Sequence, residues 1–344
     1  MSTMKALWLS EPGKMDLAER PMPAIGPDDT LIKVAAAAIC HTDFKSIAGK
    51  NSNVRMPVIL GHELSGTVEA CGEAVRFIKP GDRVAIPGIL ACFQCRNCWK
   101  GLTTVCLNYS ELGARVDGGF AEYVSVPARV LIRLNDDFPL HEAALVEPAA
   151  NGFSAARQGA IELNDDVVVV GPGAIGLLIM QFARLYNPRS LILVGTRDAR
   201  LAVGAQLGAT HTINVNKTDP VDAVQEITKG KGADVVLQCG GTIDAMRLGM
   251  KLAGDGGRVC IEATLGSTEE FGINADDMIN RALRIQGIKG WNQWDFVRAL
   301  ESMQSGLIDV RPLITHTFPL TEYREAFEVA EHRKDEALRV LLLP

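Results

Sequence analysis

Divalent zinc in an open site accepts a thiolate, an imidazole and a carboxylate, and this chain offers all three as Cys40, His62 and Glu63, the last two standing between Gly61 and Gly66. Such a site leaves one position for water or substrate, and the metal charge lowers the pKa of bound water from about 15.7 to about 7. A bound alcohol would be acidified by the same charge and made ready to lose a hydride. Directly after Cys40 come His41, Thr42 and Asp43. Thr42 could take the proton of the activated alcohol and pass it outward, and His41 could face a phosphate of a cofactor. Thr42 or Asp43 would also serve as the N-cap of a helix, which is compatible with that role. Taken singly, a buried Cys40, a hydrogen-bonded His62 and a solvated Glu63 would be ordinary; their company is what proposes a metal.

Cys92, Cys95, Cys98 and Cys106 follow with the spacing C-x2-C-x2-C-x7-C. Four thiolates at about 2.3 Å from one ion close a tetrahedron and leave no room for substrate. A second zinc is therefore predicted here, a structural one that pins a loop with little apolar material of its own. An iron–sulfur cluster also uses four thiolates, but its close bacterial pattern ends on a gap of about three residues and a proline. Here the last gap is seven residues and Leu107 follows. Cys71 has no partner at ligand spacing, and Cys239 and Cys260 end apolar runs, so all three are assigned to packing. His141, His211, His316 and His332 lack ligand-type neighbours at metal spacing and read as solvated or hydrogen-bonded.

Cys40, the run Gly61, His62, Glu63, the four-cysteine lobe, and Gly118, Gly119, Phe120, Ala121, Glu122 and Tyr123 stand in this order. Together they resemble the zinc-dependent medium-chain alcohol and polyol dehydrogenases, in their sorbitol and threonine dehydrogenase-like branch, along nearly the whole chain. The resemblance implies a mainly β, barrel-like (GroES-like) catalytic domain over residues 1–147 carrying both zinc sites, a Rossmann domain over 148–288, and a return of 289–344 to the catalytic domain. It makes Cys40, His62 and Glu63 the catalytic-zinc ligands and the other four cysteines the structural ones. It adds Glu147 as an acidic position that binds the catalytic zinc directly or through water. It also implies a homo-oligomer, a dimer or a tetramer. At position 45, where many relatives carry a histidine that ends a proton relay, this chain has Lys45, so the outer relay departs from the family pattern.

Residues 167–170 are consecutive valines, as expected of a parallel strand buried on both faces. Gly171, Gly173, Ala174, Ile175 and Gly176 then supply G-x-G-x-x-G ahead of an apolar helical stretch. In that setting the glycines let a pyrophosphate approach the helix N-terminus. Further strand candidates at 190–194, 212–215, 233–238, 257–261 and 284–288 bring the total to six, which fits a doubly wound parallel α/β sheet. In an NAD-type unit, an acidic residue about twenty positions beyond the glycines holds the ribose 2′-hydroxyl; here that position is Gly195. A glycine leaves room for a 2′-phosphate and removes the carboxylate that would repel it. Thr196 can add a hydroxyl, Arg197 a planar fork and Arg200 a second charge. NADP(H) is the expected cofactor, with NAD(H) the alternative if Asp198 bends back to the ribose.

The first domain must be built from short strands. Residues 5–9 and 30–36 read as strands of an antiparallel sheet, 67–70 and 83–86 as strand, turn, strand, and a helix over 295–305 with a strand over 337–343 should close the domain. The active site then falls in the cleft between the domains. A chain of 344 residues, 47% hydrophobic and 22% charged, suits two ordinary domains. A net charge of −6 and a pI near 5.6 supply no general attraction for nucleic acid or anionic membranes. A small alcohol or ketone is the expected partner. The N-terminal stretch lacks a signal-type apolar region and no apolar run approaches a membrane span, so a cytoplasmic protein is expected. In a reducing compartment, four of the eight cysteines crowded into fifteen residues favour metal over disulfides. The expected reaction is reversible hydride transfer between a secondary alcohol, polyol or threonine and a nicotinamide cofactor. A zinc-free quinone or enone reductase and a non-enzymatic nucleotide-binding protein on the same scaffold are the competing readings; retention of Cys40, His62 and Glu63 argues against the former.

Overall fold

The computed structural model describes residues 2–265 and 269–344. These form two compact units. One comprises the chain up to Glu147 with Asn292–Ser305 and Val310–Pro344, the other Pro148–Trp291 with Gly306–Asp309.

The first unit is built on two sheets. Thr3–Glu11 pairs antiparallel with Lys14–Pro21 on one side and with Val58–Ile59 on the other. The two strands expected in one antiparallel sheet are thus separated: Thr3–Glu11 takes a hairpin partner, and Asp29–Ala38 is central to the other sheet. Lys14–Pro21 escaped notice because Lys14, Asp16, Glu19 and Arg20 break up its apolar content, although its exposed and half-buried positions still tend to alternate as in a strand with one wet face. The larger sheet runs Ile314–Pro319, Arg339–Leu343, Asp29–Ala38, Glu63–Cys71, Arg83–Ile86, Ile132–Arg133, with Tyr123–Pro127 also paired to Asp29–Ala38. Ile32, Val34, Leu64, Val68, Val84 and Val124 bury its inner face, the period-two pattern of a half-buried sheet.

Register in this sheet assembles the chemistry. Ala38 stands opposite Glu63 on one side and opposite Leu341 on the other. Because both pairings are antiparallel, Cys40, Glu63 and Arg339 emerge at the same end of three neighbouring strands. The segment after Glu111 then crosses over the chain at Gly61: a Cβ on Gly118 would lie 2.2 Å from the Gly61 carbonyl oxygen, so only glycine permits this approach.

The second unit is a six-stranded parallel sheet of Asp166–Val170, Ser190–Gly195, His211–Asn214, Ala233–Gln238, Ala253–Ile261 and Arg284–Gly287. Numbered along the chain, the strands lie in the order third, second, first, fourth, fifth, sixth, the doubly wound arrangement in which ligands bind at the carboxyl ends beside the first strand. Val167, Val168 and Val169 are fully buried, as a central parallel strand requires. Gly306–Asp309 counts with this unit, where the Gln181 side chain donates to the Asp309 carbonyl at 3.0 Å and accepts from its N–H at 2.8 Å. The closing elements of the first unit are the helix Gln293–Gln304, capped by Asn292 and Asp295, and the strand Arg339–Leu343.

Candidate active site

Cys40 caps the helix His41–Ile47, and the Asp43 carboxylate accepts the Cys40 N–H at 2.8 Å. The N-cap is thus Cys40 itself, with Asp43 as the acidic third residue of the helix, in place of the Thr42 or Asp43 cap expected. The other oxygen of Asp43 stands 3.7 Å from His62 Nδ1, while Thr42 Oγ1 lies 3.3 Å from His62 Nε2. One buried carboxylate thus accepts from the Cys40 backbone and faces His62 Nδ1 as a charge, while His62 Nε2 lies beside the Thr42 hydroxyl.

The ligand atoms of Cys40, His62 and Glu63 all lie within 4.8 Å of one another. Glu63 is 1% exposed and pairs through Oε1 with buried Arg339 at 3.1 Å, whereas its Oε2 is buried without a hydrogen-bond partner. An orphaned carboxylate oxygen beside a thiol and an imidazole is a donor set that a divalent cation would satisfy. Burial opposes ionisation of Cys40, yet the neighbouring His62 outweighs it and, with help from Arg339, brings the thiol down to about 7. Burial pushes Asp43 up to about 6 against the pull of His62, and pushes Glu63 well above the carboxylate range against the pull of Arg339. An added cation would reverse these costs by favouring every charged ligand. Glu147, in the first turn of the helix Val146–Gln158, interacts electrostatically with Glu63 and Arg339 but stands outside the three-ligand cluster.

In the four-cysteine lobe the sulfurs are 3.5 Å apart for Cys95 and Cys98 and for Cys92 and Cys106, 3.9 Å for Cys95 and Cys106, and 4.0 Å for Cys92 and Cys98. Sulfurs placed tetrahedrally at about 2.3 Å from an ion would be separated by about 3.8 Å, whereas a disulfide needs about 2.05 Å. All four are free thiols. The N–H groups of Cys92 and Leu107 point at the sulfurs of Cys106 and Cys95 at 3.4 and 3.5 Å, donors that favour thiolates. This geometry fits a closed four-thiolate zinc and leaves no open position.

In the second unit, Gly171 has φ +104°, and Gly173 caps the helix Ala174–Arg184, with nothing within 4 Å of where its Cβ would be. A Cβ on Gly176 would fall 1.9 Å from the Gly171 carbonyl oxygen. The turn is therefore closed on the protein side and open at the helix N-terminus, the cradle a pyrophosphate fills. At the end of the second strand, Arg197 is half-buried and Arg200 is buried at 7% exposure. Arg200 thus sits on the packed side of its helix. Asp198 is held by Lys217 at 2.6 Å and by Asn214 at 2.8 Å, so its carboxylate is directed to the following loop.

Residues 26–136 match the alcohol dehydrogenase GroES-like domain, and residues 174–305 the zinc-binding dehydrogenase domain. The L-threonine 3-dehydrogenase of Symbiobacterium thermophilum is 37% identical over 335 residues, spanning 95% of this chain and 94% of that one. The chain belongs to the zinc-dependent medium-chain dehydrogenases. The sorbitol dehydrogenase of Bacillus subtilis is 30% identical, with 99% of this chain and 97% of that one covered. A structure from Sinorhizobium meliloti 1021, described as bound to NADP, superposes with a TM-score of 0.94 at 32% identity over all of both chains.

Two residues of this dehydrogenase's site were not read from sequence as such. From sequence, Asp43 reads only as a possible helix cap. Arg339 was missed, although a single arginine in the apolar run from Ala337 to Leu343 was a signal: a charge in a buried strand needs a buried partner. His41 is held below the ordinary imidazole value by burial, then by Lys45 and Arg333. Cys71 donates to the Ile78 carbonyl at 3.6 Å, and His211 and His316 bond to Thr210 and Thr315 at 3.0 Å, contacts of ordinary packing. No helix among the described residues is long and apolar enough to cross a membrane.

Proposed function

We propose that this dehydrogenase reversibly oxidises a secondary alcohol carrying further polar groups, a polyol or the β-hydroxyl of threonine, with NADP⁺ as hydride acceptor. The reading rests chiefly on one observation: a thiol, an imidazole and a carboxylate, one of whose oxygens is buried without a partner, converge within 4.8 Å beside the Thr42 hydroxyl. Cys40, His62 and Glu63 would hold one zinc, with Glu147 as a further acidic neighbour, and Cys92, Cys95, Cys98 and Cys106 a second. Bound at the first set, zinc supplies Lewis-acid polarisation of the substrate oxygen. Asp43 keeps Cys40 and His62 aimed at that position. Thr42 accepts the hydroxyl proton of the substrate and passes it outward. Arg339 holds the Glu63 carboxylate in place while leaving Oε2 available. The glycine turn binds the cofactor pyrophosphate, and Gly195, Thr196 and Arg197 receive the 2′-phosphate. The carbinol carbon gives up its hydride, the hydroxyl its proton, and the products are a ketone, NADPH and one proton.

The threonine reading is favoured by the name and extent of the 37% identical relative. Assaying L-threonine, sorbitol and simple secondary alcohols with NADP⁺ and with NAD⁺, by absorbance of the reduced nicotinamide, tests both choices. Turnover of none of these by zinc-loaded protein would reject the proposal. A cytoplasmic dimer or tetramer is part of the same proposal, to be tested by light scattering of the active protein.

A further inference from the structure

Gly195 ends the strand Ser190–Gly195 and is buried. A Cβ on it would stand 2.3 Å from Cγ and 2.4 Å from Cδ of Pro172, while the next atom, Leu201 Cδ2, is 3.6 Å away. Carbon atoms in favourable contact are about 3.5–4.0 Å apart, so the proline ring occupies the space a side chain would need. An ordinary residue at 172 would clear that space by changing rotamer. Proline has no such freedom, because its Cγ and Cδ are closed onto its own backbone nitrogen. The backbone is also tied in place: the Gly171 N–H donates to the Val194 carbonyl at 2.9 Å, joining the glycine turn to the strand end where Gly195 sits.

We propose that Pro172 is a coenzyme-specificity residue: by filling the Cβ volume of position 195 it makes glycine obligatory there, and so bars the acidic side chain that would bind a ribose 2′-hydroxyl and repel a 2′-phosphate. The inference rests on the NADP(H) reading above and deepens it. Glycine at 195 is then a consequence of packing inside the glycine turn, and the open 2′ position follows from it. Pro172 is buried and acts through residue 195. The acidic residue next along the chain, Asp198, is engaged by Asn214 and Lys217 and does not substitute for the missing one.

The test is a double-mutant cycle on the full-length, zinc-loaded protein. Gly195→Ala and Gly195→Asp are each made in the wild type and in a Pro172→Ala background, which keeps Cβ at 172 but removes Cγ and Cδ. Thermal unfolding and calorimetric titration with NADP⁺ and NAD⁺ are the readouts. Gly195→Ala is expected to lower the unfolding midpoint by at least about 2–4 °C in the wild type and by much less beside Pro172→Ala. Pro172→Ala alone should keep the NADP⁺ preference. The Pro172→Ala/Gly195→Asp pair should shift relative affinity toward NAD⁺ by about tenfold or more, a shift Gly195→Asp alone does not achieve. Equal costs of Gly195→Ala in the two backgrounds would overturn the inference, as would a full shift from Gly195→Asp by itself. A wild-type protein that binds NAD⁺ more tightly would overturn the cofactor reading, and with it the specificity role. The unfolding cycle reports the steric coupling separately.

Discussion

At the scale of single residues, Cys40 and Arg339 decide how the open site behaves. Burial works against the Cys40 thiolate, but His62 and Arg339 bring its pKa from 9.0 to about 7. In metal-free protein, iodoacetamide labelling of Cys40 should therefore rise as the pH climbs through about 7. Cys71 and Cys239, whose thiols are pushed up by burial, should lag behind. Zinc loading should protect Cys40. Peptide mapping across a pH series checks this; a Cys40 profile that coincides with that of Cys71 would contradict it. The sign for stability is the same: a depressed folded-state pKa contributes stability above the ordinary thiol value and loses it as pH falls through about 7. Arg339 lies 3.1 Å from Glu63, and both are buried. Arg339→Ala leaves that carboxylate without its partner and should cost about 3–5 kcal/mol. Denaturant unfolding of the variant with its open site stripped of metal measures it, and an unchanged midpoint would remove Arg339 from the account.

At the scale of elements, the glycine turn is the tightest junction in the second unit. Gly176→Ala would drive a Cβ to 1.9 Å from the Gly171 carbonyl oxygen and 3.0 Å from Cys239 Sγ. The turn or the helix start must then move, and NADP⁺ affinity should fall by at least about tenfold, since it depends on backbone N–H groups aimed at the pyrophosphate. A fluorescence titration of the cofactor checks this, with circular dichroism to show that the sheet is retained. In the first unit the corresponding device is register. Antiparallel pairing of Asp29–Ala38 with both Glu63–Cys71 and Arg339–Leu343 brings Cys40, Glu63 and Arg339 to one end, and a one-residue slip would turn each side chain to the opposite face.

For the whole molecule, the two metal sets differ in closure, and their metals should leave in a fixed order. The four-sulfur set has no open position and holds a lobe with Trp99, Leu102 and Leu107 exposed. The open set has three candidate ligands. Mild chelation should first remove one zinc of two together with all alcohol oxidation, while the unfolding midpoint changes little. Harsher chelation, or Cys98→Ala, should then lower thermal stability or abolish assembly. Elemental analysis that finds one zinc per active chain would refute the two-site reading. Light scattering of the active protein tests the dimer or tetramer expected of it.

What is local was legible in the residues themselves. The four cysteines, the adjacent His62 and Glu63, and the glycine turn between strand and helix each lie within a short stretch, where chain geometry already limits which atoms can meet. Alternating strands and helices likewise specified the parallel sheet, because buried valine runs and a helical period admit few arrangements. What joins distant segments came from the packing of the fold. Arg339 reaches Glu63 only through strand register, the Lys14–Pro21 strand is visible only once Thr3–Glu11 pairs with it, and Gly195 reads as a position any side chain could take until Pro172 is seen to stand where its Cβ would go. Such contacts depend on pairing and packing between segments far apart in the chain, and no local pattern of residue types encodes a distance of that kind.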